Sequence, residues 1–159
     1  MHTLKTKELV YLAIMTAVIV ALSLLIIIPI PATHGFVTIC DGGIYFVGML
    51  FGPTGGLLVG GLSGLLIDIL SESANWALFS LIIHGLQGYV FAKLMQASHK
   101  WLGYLLAAFV MLGGYALATG LMFGSVAGLA SLPSNLMQVI FATILAELLH
   151  HYLLPKIHL

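Results

Sequence analysis

Two amides, Asn135 and Gln138, stand three residues apart in "SLPSNLMQVIFATIL" (131–145), just after Pro133 and at the head of an otherwise apolar run. A three-residue step keeps both side chains on one face of a helix. In hydrocarbon an amide without a partner costs roughly 2–7 kcal/mol, so this face needs another helix, water or a ligand. The same spacing recurs in His84 and Gln87. Asp68 lies near the end of a third apolar run, Tyr115 follows Gly113 and Gly114, and Trp76 stands in a short polar stretch between runs. These groups supply donors, acceptors, an imidazole and aromatic faces, which is the chemistry of recognition rather than of bond making.

Two stretches imitate catalytic motifs. "GLSG", Gly61 to Gly64, is like the serine motif of rhomboid intramembrane proteases, with Ser63 as nucleophile and a histidine as base. The arginine of that pattern has no counterpart, because the chain has no arginine, and a helical serine can satisfy itself on a preceding carbonyl. "AELLHH" sets Glu147 and His150 at ExxH spacing. A di-iron bundle needs two such motifs plus further carboxylates, so a local Glu–His pair or a partner-facing patch is the expectation. No metal and no cofactor is expected.

The elements that must position these residues are membrane helices. Of 159 residues 61% are hydrophobic and 6% charged, with a mean hydropathy of +1.15, against about a quarter charged in soluble domains. The net charge is zero and no basic run is present, which argues against nucleic acid as a partner. A lone cysteine, Cys40, excludes an internal disulfide and a CxxC metal site. Residues 9–28 are too long for a signal-peptide core of about 7–15 residues and suit a span of about 20. Apolar windows between breakers predict six spans in one domain over 1–159: 9–28, 39–51, 54–71, 77–95, 102–124 and 134–154. Gly52 and Pro53 alone separate the second from the third, which reads as a tight hairpin with one thin or tilted member.

With six spans, Lys5, Lys7, Lys93, Lys100 and Lys156 all fall on one side. The positive-inside rule makes that side, and both termini, cytoplasmic. The outer loops are then 29–38, 72–76 and 125–133. Counted at about 1.5 Å per residue, Asp68, His84, Gln87, Tyr115, Asn135 and Gln138 all lie in the outer halves of their spans. The expected architecture is therefore an all-α, six-span protein with a ligand pocket in its outer half.

Each candidate has a plainer use. Asn135 and Gln138 can bond helix to helix; His84 can be satisfied by Asp68 or a backbone carbonyl; Asp68 can pair with His84 or meet loop solvent. Gln87 leans towards a structural role. Asp41, before Gly42, suits an N-cap of the second span, and Trp76 suits an interfacial belt. Tyr45, Phe36 and Phe46 are expected to pack. Gly56, Gly60 and Gly64, and again Gly120, Gly124 and Gly128, read as close helix packing. Ala13, Ala17 and Ala21 form a similar stripe on a uniformly apolar helix, suited to docking a partner.

The strings "CDGGIYFVGMLFGPTGGLLVGGLSGLLIDIL" (40–70), "FSLIIHGLQGYVFAKL" and "LPSNLMQ" together resemble the S component, the membrane-embedded substrate-binding subunit, of energy-coupling factor (ECF) vitamin transporters. The likeness is to the riboflavin-type family that includes proposed hydroxymethylpyrimidine and pyridoxine binders. It implies six helices in the plasma membrane of a bacterium, a vitamin bound at the outer face, and association with a transmembrane scaffold subunit and two ATPases. It further implies that Ala13, Ala17 and Ala21 meet the scaffold and that Asn135 and Gln138 sit at the binding end of the last helix. His84 stands where relatives often carry another polar or basic residue. The chain has no Walker motif, so ATP hydrolysis falls to partners.

The residues add a substrate argument. The expected pocket has no lysine or arginine for a carboxylate or phosphate, which disfavours biotin, pantothenate and folate. Amides, an imidazole, a phenol and Asp68 suit a small, flat, neutral heteroaromatic with hydroxyls or an amine. Hydroxymethylpyrimidine and pyridoxine both fit. The competing functions are a non-binding membrane scaffold and an intramembrane serine hydrolase using Ser63.

Overall fold

A computed structural model describes residues 5–30 and 35–157. Helix α1 (Thr6–Leu25) leads into a two-stranded antiparallel ribbon, β1 (Ile28–Ile30) with β2 (Gly35–Val37). Then come α2 (Cys40–Leu70), α3 (Ala77–Gln96), α4 (Lys100–Phe123), a short α5 (Ser125–Ala130) and α6 (Leu132–Tyr152), with a 3₁₀ turn at Leu154–Lys156. Five stretches are long and apolar enough to cross a membrane: α1, α2, α3, α4 and the run from Ser125 to Lys156.

Local chemistry explains the boundaries. Glu8 closes the first turn of α1 by accepting the Lys5 backbone N–H at 2.8 Å. Pro133 sits in the first turn of α6, where its missing N–H costs nothing. Inside α2, Gly52 takes φ +69° and ψ −164°, a conformation that breaks the helix and that a side chain resists. Pro53 then restarts it. The two halves of α2 fold back on each other, since Ile44 from the first half lies against Gly60 of the second. The expected hairpin at Gly52–Pro53 is present.

Glycines set how closely the halves pack on α3. A Cβ at Gly56 would stand 2.5 Å from the Gly88 carbonyl oxygen, one at Gly60 would meet the His84 carbonyl, and one at Gly64 the Ser80 carbonyl. This ladder brings α2 and α3 into backbone contact, as small residues do in lipid. The second ladder behaves differently. Gly124 turns the chain between α4 and α5 with φ +94°, and only Gly128 packs, against the Ala116 carbonyl.

The buried side chains gather between α1, α2, α3, α4 and α6, while many large apolar ones face outward. Leu105, Phe109, Leu117 and Leu121 of α4 are 65% to 76% exposed, an arrangement that suits contact with lipid rather than water.

Two loops expected to be irregular are ordered elements. The 29–38 connection carries most of the short β ribbon, beside an otherwise all-helical fold; β-branched Ile28 faces Val37 across it. The 125–133 connection contains α5.

Candidate ligand-binding site

Along α3, α4 and α6 most of the candidate site residues collect at the end away from the lysines. Trp76, Ser80 and His84 occupy the start of α3, and Lys93 its last turn. At this end one cleft is lined by Phe36 of β2, by Thr38, Cys40, Gly64, Ile67 and Asp68 in and before α2, and by Trp76, Ser80 and His84. Met111, Tyr115 and Thr119 of α4 and Ser131, Ser134, Asn135 and Gln138 of α6 close it. With the open solvent at its mouth included, the empty space there is about 600 Å³. Among the lining residues there is no lysine, and the chain has no arginine.

Behind the wall lies Asp41, fully buried in the first turn of α2. Its Oδ2 accepts a hydrogen bond from Gln138 Nε2, and its Oδ1 lies 3.2 Å from His84 Nε2 without hydrogen-bond alignment. Gln138 Oε1 in turn accepts the Thr38 backbone N–H at 3.2 Å. One amide therefore joins α6 to α2 and to the segment leaving the ribbon. On the other side of the imidazole, His84 Nδ1 lies 3.2 Å from the Tyr115 hydroxyl and 3.3 Å from the Ser80 carbonyl. The Tyr115 and Ser80 hydroxyls share a hydrogen bond of 2.6 Å. Trp76 and Tyr115, with ring centroids 6.0 Å apart, make an aromatic wall.

Of the expected residues, Asn135, Gln138, His84, Tyr115, Asp68 and Trp76 line this one cleft. Gln87 does not. It points into the core and donates to the Tyr45 hydroxyl at 2.9 Å. Other expectations need correction. Asp41 is not an N-cap: Ile39 holds that position and makes no side-chain cap bond. His84 meets the Ser80 backbone carbonyl, one of the two expected partners, but the carboxylate beside it is Asp41 rather than Asp68, and Asp68 is 5% exposed, which leaves little room for loop solvation. Trp76 is 4% exposed and belongs to the cleft, not to a lipid-facing belt. Phe36 also lines the cleft, whereas Tyr45 and Phe46 pack as expected.

Neither catalytic look-alike assembles. Ser63 is fully buried, its hydroxyl has no hydrogen-bond partner among the described residues, and it does not line the cleft. Among the described residues no base is hydrogen-bonded to it. Glu147 pairs not with His150 but across to α4, accepting from Lys100 Nζ at 2.9 Å and from the Tyr104 hydroxyl at 2.8 Å.

Comparison with known proteins decides the family. The family model for the ECF-type riboflavin transporter S component matches residues 3–154. The chain belongs to that family. This S component is 42% identical over 144 residues to the "Thiamine precursor transporter HmpT" of Lactococcus lactis subsp. cremoris, covering 90% of this chain and 85% of the relative. It is also 30% identical over 139 residues to an "Uncharacterized protein in gap 3'region" of Pyrococcus woesei, covering 85% of this chain and 93% of the relative. An S component is a transporter subunit and not an enzyme, which removes the hydrolase reading of Ser63. With its five apolar spanning stretches, the S component is a multi-pass protein of the bacterial plasma membrane.

Proposed function

We propose that this S component captures a small neutral heteroaromatic vitamin or vitamin precursor, of the hydroxymethylpyrimidine or pyridoxine class. The observation that carries the reading is the convergence of Asn135, Gln138, His84, Tyr115, Asp68 and Trp76 on one cleft that no lysine lines. Flat aromatic walls suit a ring, and neutral amides and hydroxyls suit its polar edge. The likeness to a thiamine precursor transporter favours the pyrimidine over pyridoxine.

In this reading the two halves of α2 each cross the bilayer, making six spans with both termini in the cytoplasm. The cleft then opens outward, since it lies at the end opposite Lys93 and Lys100. Ala13, Ala17 and Ala21 are exposed on α1 and form the surface offered to a transmembrane scaffold subunit. Two ATPase subunits on that scaffold supply the energy for release inside.

The test is thermal stability of the detergent-purified protein with pyridoxine, pyridoxal, hydroxymethylpyrimidine, thiamin, riboflavin and biotin. A ligand stabilises only a state that binds it. A shift with a small heteroaromatic, reduced in Asn135→Leu, supports capture. No shift with any compound favours the non-binding scaffold, a reading that draws on Gln138 being bonded on both its oxygen and its nitrogen within the protein.

A further inference from the structure

Most polar groups around the cleft already have protein partners. Gln138 is held by Thr38 and Asp41, Ser80 by Tyr115, Ser131 by the Gly128 carbonyl, and Ser134 by the Ser131 carbonyl. Of the buried atoms there without a hydrogen-bond partner, His84 Nε2 and Asp41 Oδ1 face each other at 3.2 Å, which leaves two others. Asp68 Oδ2 and Trp76 Nε1 have no hydrogen-bond partner, although the residues are only 5% and 4% exposed and both line the cleft. A buried polar group left unmade costs about 1–3 kcal/mol, and a charged one more. An ionised carboxylate only accepts and an indole only donates. The missing partner must therefore bring a donor to one and an acceptor to the other. No lysine or arginine stands in the cleft to neutralise Asp68, and His84 turns its Nε2 to Asp41 instead.

We propose that Asp68 and Trp76 are the specificity pair of the cleft, selecting a heteroaromatic that carries an exocyclic amine beside a basic ring nitrogen. This rests on the reading above that the cleft takes a small heteroaromatic. The amine N–H donates to Asp68 Oδ2, the oxygen left without a partner, in a charge-assisted contact that protonation of the adjacent ring nitrogen strengthens. A second ring nitrogen or a hydroxyl accepts from Trp76 Nε1. Neither Asp68 Oδ2 nor Trp76 Nε1 is reached by solvent, so binding requires a small side-chain rotation that opens the pair to the ligand. The oxo counterpart of such an amine sets a carbonyl oxygen against the carboxylate and loses this contact.

The experiment is calorimetric titration of the detergent-purified full chain with 4-amino-5-hydroxymethyl-2-methylpyrimidine and with its 4-oxo counterpart. The expected preference for the amine is about tenfold or more, the size of one charge-assisted hydrogen bond. In Asp68→Asn the preference falls to near unity, because a carboxamide both donates and accepts. Trp76→Phe keeps the ring and weakens the amine compound about fivefold or more. Equal binding of both compounds by the wild type overturns the proposal while leaving the capture function standing, as does an undiminished preference in Asp68→Asn. Unchanged affinity in Trp76→Phe removes Trp76 from the pair. If neither pyrimidine binds, this inference is overturned, while the capture function is decided separately by the full vitamin panel. Should Asp68→Asn not fold, the wild-type preference and Trp76→Phe decide the matter.

Discussion

Asn135 and Gln138 share a helix face and a cleft yet do different work. The Gln138 amide is bonded to Thr38 and Asp41, whereas the half-buried Asn135 side chain makes no hydrogen bond among the described residues. Gln138→Leu strands the Asp41 carboxylate and is expected to cost about 1–3 kcal/mol or more of stability without any ligand. Asn135→Leu is expected to leave apo stability within about 0.5 kcal/mol and to weaken the bound vitamin instead. Thermal melts with and without ligand separate the two effects, and equal apo melting of both variants would contradict the assignment. Asp41 is the residue that sequence reasoning undervalued. A carboxylate inside an apolar run is a functional signal by default, but its place beside a helix start offered a simpler use as a cap. Only the packing of α3 and α6 against it reveals that it holds His84 and Gln138.

Glycines at the same spacing have opposite roles at the level of whole elements. Gly60 faces the His84 carbonyl across the α2–α3 contact, while a Cβ at Gly120 meets nothing within 4 Å. Gly60→Val is expected to destabilise by about 3 kcal/mol or more, since a backbone carbonyl cannot move aside as a side chain can. Gly120→Ala is expected to be neutral or to gain up to about 1 kcal/mol from helix propensity. Detergent-melt midpoints of the two variants check this contrast. The ends of α2 and α3 hold a second element-scale feature. Glu72 and Ser98 take φ +63° and +62° just past those helices, and the Ser73 and His99 N–H groups reach back to the Asp68 and Leu94 carbonyls, closing each helix as a Schellman turn does. Ser98→Gly, at an exposed site, should stabilise by about 1 kcal/mol by removing the left-handed penalty; an unchanged melting temperature would count against that.

At the scale of the whole molecule the polar cleft and the lysines lie at opposite ends of the helices. The orientation proposed from the lysines makes a labelling prediction. In a Cys40→Ser background, Asn75→Cys is expected to react with a membrane-impermeant maleimide added outside intact cells. Ser98→Cys should react only after permeabilisation, and the reverse pattern would invert the proposed topology. A bulky residue on the exposed alanine stripe tests assembly separately from binding. Ala17→Trp is expected to abolish co-purification with the scaffold and ATPase subunits while leaving the ligand-induced thermal shift intact, because Ala17 faces outward from α1 and does not line the cleft. Unaltered co-purification would place the docking surface elsewhere.

By itself the sequence determined the membrane character, the long apolar stretches, the Gly52–Pro53 reversal and six residues that line the cleft. Each follows from local chemistry: run length, lysine placement, breakers, and the high cost of polar atoms in hydrocarbon. The same reasoning could only lean Gln87 towards structure and leave His84 open, since the two stand on one face of α3 three residues apart. Their fates depend on what packs opposite, Tyr45 for one and Asp41 with Tyr115 for the other. Thr38, Cys40, Ser80 and Phe36 joined the site without any signal of their own, because serines, threonines and aromatics are common in spans. Tertiary structure alone decided which polar atoms found partners inside the protein and which, like Asp68 Oδ2 and Trp76 Nε1, did not. A periodic pattern specifies the face of a helix, but hydrogen-bond satisfaction depends on groups many residues away in the chain, and that pairing exists only once the helices have packed.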